Sequence, residues 1–439
     1  MRPFALAAAA LGLCAAAGAA PLTADECVAL ALRRSARVKA ARADVEVYRA
    51  QAAQVEAALS PKLSVLTYLA PMYGASGGLG LEGPYTHDFG RWGPYAHVEA
   101  KLVKPVSTFG RYTAGVTAAS ERTLVEQERA REVENGVRLE VRRLYGLRLY
   151  ALSLRPNLET GKKILAEAIT KGEELHRAGT GEVTLPDLMR LRYGSGEMDR
   201  YLRLAIDGAE LATAALKQTM GLSLDDPLSL ADDKLVPQDD PVPALEALLS
   251  TARRDRPEIG QLEHGKAATA AWEQAERRAN LPVLFVAAAG SADWSAVRPK
   301  GFSAAYYNLY NDYFVGVAVG LKLDLDAPLT SAKASEASAK ANWVRANESL
   351  AETGIPLQVM KARLELIQQR DLARVADEEV KATRKWMTFA AAAYAGGTGE
   401  AKDVLEGVGA YLLAKKAYYD HLLGAWQAKA ELEQAAGLR

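Results

Sequence analysis

Histidine and cysteine are scarce in this 439-residue chain, and net charge is absent. The five histidines, at 87, 97, 176, 264 and 421, show no metal-ligand spacing, so the sequence offers no metal centre and implies no cofactor. Of the two cysteines, Cys14 lies in the export signal described below, which leaves Cys27 alone and excludes an internal disulfide. Cys27 is expected as a small buried apolar residue of the first helix. Lys+Arg and Asp+Glu balance at 54 each, so no global field draws nucleic acid or an anionic membrane. Aromatic residues make up only 7% of the chain, which suits Ala-rich packed helices. Beyond the N-terminus no run of about 18 uncharged apolar residues exists, so no membrane-spanning helix is expected. Any membrane crossing must use strands.

Catalytic motifs are also missing in the contexts that give them meaning. Gly74-Ala75-Ser76-Gly77-Gly78 fits G-x-S-x-G and Gly78 to Gly83 fits G-x-G-x-x-G, but neither opens a helix. The sequence is not that of an enzyme.

What is present begins with Met1-Arg2-Pro3, an apolar run from Phe4, and small residues from Ala15 to Ala20. This is the pattern of a secretory signal peptide, assigned to residues 1–19. The core Gly-Thr-Gly-Glu then occurs twice, as Gly179-Thr180-Gly181-Glu182 and as Gly397-Thr398-Gly399-Glu400. Each copy lies between two long helical patterns, and each second pattern ends in Gly-Leu, at 221–222 and 437–438. Asp187 and Asp403 sit equally far from those two ends, so the halves align as a repeat. The first spans 20–222 and the second 244–439. Between them 223–243 is acidic and Pro-rich, a solvent-side linker along the helical body.

Each half follows one order. A helical pattern (Ala24 to about Leu59, then Ala244 to about Asn280) ends at Pro61 or Pro282. Strand patterns follow at about 61–73 and 95–104, and at about 282–292 and 313–326. In the second strand Ala96, Val98, Ala100 and Leu102 oppose His97, Glu99 and Lys101, a pattern that suits a strand between lipid and an aqueous lumen and, taken in isolation, suits an ordinary amphipathic surface hairpin better. In the fourth, Val315, Val317, Val319, Leu321, Leu323 and Leu325 share one face. A Gly-rich loop is expected over Gly74 to Pro94. Ser107 and Thr330 are expected to start the long helices, about 112–178 and 330–393, with kinks or breaks at Pro156 and Pro356. Tyr85, Trp92, Tyr95, Trp294, Tyr306, Tyr307, Tyr310 and Tyr313 suit an aromatic interface girdle, with packing of the loops against one another as the alternative. Trp272, Trp343, Trp386 and Trp426 are expected to pack between helices.

Four strands cannot close in lipid, where open edges are forbidden and barrels begin at about eight strands. Several copies must therefore share one barrel. Two copies give about eight strands and three about twelve, and counting does not choose.

The two strand pairs, Pro61 and Pro282, Arg256-Pro257-Glu258-Ile259, the Leu-x-x-Pro turns at Pro105 and Pro328, and Gly-Thr-Gly-Glu-x-x-Asp-Val-Leu-Glu together resemble the TolC-type outer-membrane efflux protein family. The resemblance covers essentially the whole mature chain. It implies a homotrimer in which a shared twelve-stranded outer-membrane β-barrel continues into a periplasmic twelve-helix α-barrel. It also implies a periplasmic adaptor and an inner-membrane pump as partners, docking at the Gly-Thr-Gly-Glu tips. By the same resemblance Asp403 and Glu406 ring the periplasmic aperture, and Tyr394 and Asp187 contribute to the closed gate. The spacing of Asp403 and Glu406 alone equally suits acids complementing a helix dipole. The chain departs from the family around Gly399, where a gate arginine is expected, at Ser35-Ala36 in place of Asn-Pro, and in two extra residues of the first tip near Thr184 to Pro186. The alternative reading from another class is a periplasmic helical scaffold or adhesion protein without a pore.

Overall fold

The computed structural model describes residues 21–76, 84, 86–179, 183–300, 310–324 and 326–438. In chain order the elements are α1 (Ala24–Arg34), α2 (Ala36–Glu56), β1 (Lys62–Ser76), β2 (Thr86–Ser107), α3 (Arg111–Ala178), α4 (Leu185–Thr219), α5 (Leu245–Asp255), α6 (Pro257–Arg277), β3 (Val283–Ser295), β4 (Tyr313–Lys322), α7 (Ala327–Ala395) and α8 (Ala401–Ala435). They form two compact units, and neither is a sequence half. One comprises Met1–Ala43, Glu128–Gly260 and Leu350–Arg439, the other Asp44–Gln127 and Gln261–Ser349. The signal-peptide segment and Cys14 lie outside the described residues.

The first unit is helical, and the internal repeat is visible in its joints. Periodicity reads one helix from Ala24 to Leu59, but Ser35 is extended (ψ 131°) and divides it. Arg256 divides the matching helix of the second half at ψ 126° because Pro257 excludes the helical basin for the residue before it. Two glycines fill these joints. Gly221 (φ 69°) closes α4 by donating to Gln218 O, with Leu222 N donating to Lys217 O; Gly437 (φ 70°) closes α8 with the same pair of bonds to Gln434 and Glu433. A Cβ on Gly221 would meet Arg34 O at 2.7 Å, and one on Gly437 would meet Arg256 N at 3.0 Å. Each Gly-Leu end therefore rests on the helix break of its own half, where only a glycine fits.

The core of this unit is a seam of small and branched side chains. Val137 and Val141 of α3 are fully buried with Cys27, Val38, Leu216 and Met220. Burial pushes the Cys27 thiol up to about 11. Trp426 packs as its helical position predicts, whereas Trp343 and Trp386 on α7 are exposed. The linker 223–243 is strapped to the helices: Tyr145 donates to Asp232 Oδ2 at 2.6 Å, Leu235 N donates to Ser153 Oγ at 2.8 Å, and Lys429 pairs with Asp240 at 2.6 Å.

The long helices continue through Pro156 and Pro356, so neither proline breaks its helix. Around Pro156 side chains supply local bonds. Asn157 Nδ2 donates to Ser153 O and Thr160 Oγ1 to Pro156 O, both at 2.8 Å. The helix starts also shift. Thr108, not Ser107, accepts from the first turn of α3, at 2.9 Å from Tyr112 N. Before α7 it is Asp326 rather than Thr330 that accepts, from Leu329 N at 3.4 Å, since a carboxylate one turn earlier reaches the free amides.

The second unit carries a four-stranded antiparallel sheet in the order β1-β2-β3-β4. β1 and β2 extend into the expected Gly-rich loop, pairing as far as Ser76 with Thr86 across a bulge at Tyr73/Gly74. Gly74 to Ser76 is thus strand, and Gly77 to Gly83 lies outside the described residues.

Candidate pore face and helix-tip residues

Register decides what the sheet shows on each side. Leu63, Val65 and Leu69 of β1 stand opposite Leu102, Ala100 and Ala96 of β2. Those face Ala288, Gly290 and Trp294 of β3, whose neighbours on β4 are Val317 and Val315. Strand residues alternate faces, so one apolar face runs across all four strands. It is bare: Leu69 is 79% exposed and Val315 83%. The opposite face holds Ser64, Glu99, Lys101, His97, Ser291, Asp293 and Lys322. An ordinary soluble sheet buries its apolar face and wets the other; here the apolar face is left open, the arrangement lipid requires.

Of the aromatic set, Trp92, Trp294 and Tyr313 are exposed on or beside the apolar face. Tyr95 instead points to the polar face, where it is buried and donates to Asp293 Oδ1; Tyr310 packs on its ring at 6.0 Å. Tyr85, Tyr306 and Tyr307 lie outside the described residues. His97 Nδ1 lies 2.7 Å from the same Asp293 oxygen, and its ring lies 4.9 Å from that of Tyr68. Sequence reasoning missed this group because its members are brought together only by the pairing of β2 with β3, nearly two hundred positions apart. Alternation within each strand was the available signal, and it assigned a face without assigning a partner.

The helix tips lie in the other unit. At the second tip Gly397 (φ 77°) reverses the chain. Ala393 O accepts from Thr398 N at 3.0 Å and from Gly399 N at 3.1 Å, and Glu400 stands at the N-cap of α8 without a side-chain capping bond. At the first tip Gly179 has φ 71°, while Thr180, Gly181 and Glu182 lie outside the described residues. Asp403 and Glu406 are exposed on the first two turns of α8, and Lys402 Nζ approaches Glu406 at 3.7 Å.

Tyr394 and Asp187 are close without a hydrogen bond between them. Tyr394 is buried in one cluster with Leu165, Leu188 and Val404, and its hydroxyl has no hydrogen-bond partner among the described residues. Burial, and then the Asp187 charge, push its phenol up. A Cβ on Gly172 would lie 2.5 Å from that hydroxyl, so Gly172 makes its room. The Asp187 carboxylate is occupied elsewhere. It closes a capping box with Thr184, accepting from Thr184 N at 3.1 Å, and takes Arg190 at 3.4 Å. The Thr184 hydroxyl is the main cause holding Asp187 below the usual carboxylate range.

No family model matches the chain. No curated protein matches it either. Solved structures do. The outer-membrane channel OprN superposes with TM-score 0.77 at 16% identity, covering 94% of this chain and 89% of that one. The CmeC outer membrane channel of Campylobacter jejuni gives TM-score 0.77 at 17% identity over 94% and 85% of the two chains. The open-state MtrE outer membrane channel of Neisseria gonorrhoeae gives 0.71 at 17% over 95% and 89%. With the bare apolar sheet face and the paired helix hairpins, these similarities establish that the chain has the TolC-type outer-membrane-channel fold.

Proposed function

We propose that the protein is an outer-membrane exit duct. Three copies pool their sheets into a twelve-stranded barrel whose inner wall is the polar face, and their long helices continue it as a twelve-helix periplasmic tube. The observation that carries this reading is the exposed, mainly apolar face of a sheet whose edge strands, β1 and β4, have no outer neighbour among the described residues. Closure is the way lipid tolerates such edges. Exposed apolar residues on α7 support self-association: Leu350, Leu357 and Leu364 recur every seven residues, the spacing of a helix–helix seam. Three structural neighbours described as outer-membrane channels support it further.

On this reading, the tips Gly179 to Glu182 and Gly397 to Glu400 meet a periplasmic adaptor that couples the duct to an inner-membrane pump, for efflux or type I secretion. Asp403 and Glu406, three apart and exposed on one helical face, place about six carboxylates around the aperture of a trimer. Opening swings the inner helix pair outward and draws Tyr394 out of its pocket beside Asp187. Detergent-extracted protein is expected to run as a trimer that dissociates on heating, and to conduct in planar bilayers. A monomeric, water-soluble, non-conducting protein would leave the reading as a periplasmic scaffold or adhesion protein.

A further inference from the structure

The polar face of the sheet is covered at one end by the chain's own continuation past β3. Val297 sits on Gly93: a Cβ there would lie 2.4 Å from Val297 Cγ1, so any side chain at 93 would displace it. Gly93 is two residues before Tyr95, on the face of His97 and Asp293. Three hydrogen bonds, two of them between backbone groups, hold the segment down. Ala296 N donates to Pro94 O at 3.3 Å, Ala75 N donates to Val297 O at 3.2 Å, and Arg91 Nη2 donates to the same carbonyl at 3.0 Å. The next residue, Arg298, is buried with its guanidinium 4.4 Å from the Tyr73 ring centre and 4.6 Å from that of Tyr310. Asn311 ties the two ends of the connection, donating to Arg298 O at 3.3 Å and accepting from Ser295 N at 2.9 Å.

The two faces differ sharply at this level. Tyr95 is 8% exposed and Ser295 fully buried on the covered side, whereas Tyr313 is 77% exposed on the other. A desolvated guanidinium between two rings is worth on the order of a kcal/mol or more in cation–π attraction, enough to hold a short segment in place.

We propose that residues 296–299, pinned by Arg298 between Tyr73 and Tyr310, form a size-selecting collar at the outer end of the duct. This rests on the duct reading, which makes the polar face a lumen: three copies then bring three such segments toward one axis. Small solutes pass the collar and bulky ones do not.

The test is thiol labelling in intact cells, in a chain with Cys14 and Cys27 replaced by alanine. Ser291→Cys places a thiol on the polar face deeper than Asp293, and Val317→Cys places one on the apolar face. The expected result is that a small impermeant maleimide labels Ser291→Cys while a bulky polyethylene-glycol maleimide does not. Adding Arg298→Ala should speed bulky labelling by about tenfold or more, on the order of losing both ring contacts. Gly93→Ala, which unseats Val297 while keeping Arg298, should act in the same direction; both variants are scored on the heat-dissociable trimer band. Equal bulky labelling with and without these substitutions overturns the collar. Ready labelling of Val317→Cys signals instead that the apolar face does not meet lipid, and it is the duct reading that fails.

Discussion

Trp426 stacks on Tyr145, the two rings 6.0 Å apart and 13° from parallel, and the indole nitrogen donates to Arg142 O at 2.7 Å. The pair fastens α8 to α3 in the core where Cys27, Val137 and Val141 are buried. Trp426→Ala removes the ring and leaves a cavity, and should destabilise the unit by about 3–5 kcal/mol. Chemical denaturation followed by circular dichroism checks this; a loss under about 1 kcal/mol would mean that the stacking is incidental.

The first helix tip should loosen in acid. Asp187 has a folded pKa below its unfolded value, chiefly through the Thr184 hydroxyl. Its contribution is therefore present above the unfolded pKa and lost as pH falls through the folded one. Amide exchange at the start of α4, corrected for the intrinsic pH effect, should accelerate below about pH 4. Thr184→Ala should cost about 1 kcal/mol of local protection at neutral pH. In Asp187→Ala the acid step itself should vanish.

At the second tip, replacing both Asp403 and Glu406 by alanine should lower cation-over-anion permeability in single-channel recordings, since the ring would lose about six carboxylates in a trimer. Unchanged selectivity would move the ring elsewhere and leave the two acids as partners of the α8 dipole.

Adjacent positions on β4 give the sharpest contrast. Val317 lies on the bare apolar face and Ala318 on the polar one. In water, lysine at either position would cost little. If Val317 meets lipid, Val317→Lys should cost about 2–4 kcal/mol near the bilayer midplane, and Ala318→Lys far less. The recovery of heat-dissociable trimer from outer membranes measures the difference.

Local grammar made much of this legible in the sequence. Prolines 61 and 282, the doubled Gly-Thr-Gly-Glu and the two Gly-Leu ends mark the punctuation of a repeat, and strand alternation assigned the faces. Contacts between distant residues were not legible. Nothing local shows that Ser35 breaks a helix, because the proline that announces the matching break at Arg256 has no counterpart at Ala36. Tyr95 carries the composition of a girdle residue; alternation puts it on the face of His97, and only the pairing of β2 with β3 reveals Asp293 as its partner. Asp187 was expected at the gate by resemblance, while Thr184, three residues before it, engages its carboxylate.

The way the two units are woven also governs the order of their completion. The sheet-bearing unit takes its last residue at Ser349, whereas the helical unit needs the first stretch of the chain and the last, through Arg439. A polypeptide made N-terminus first completes its strands before its helical scaffold. Truncation within α8 would therefore leave the sheet-bearing unit with all its residues and the helical unit without its last helix.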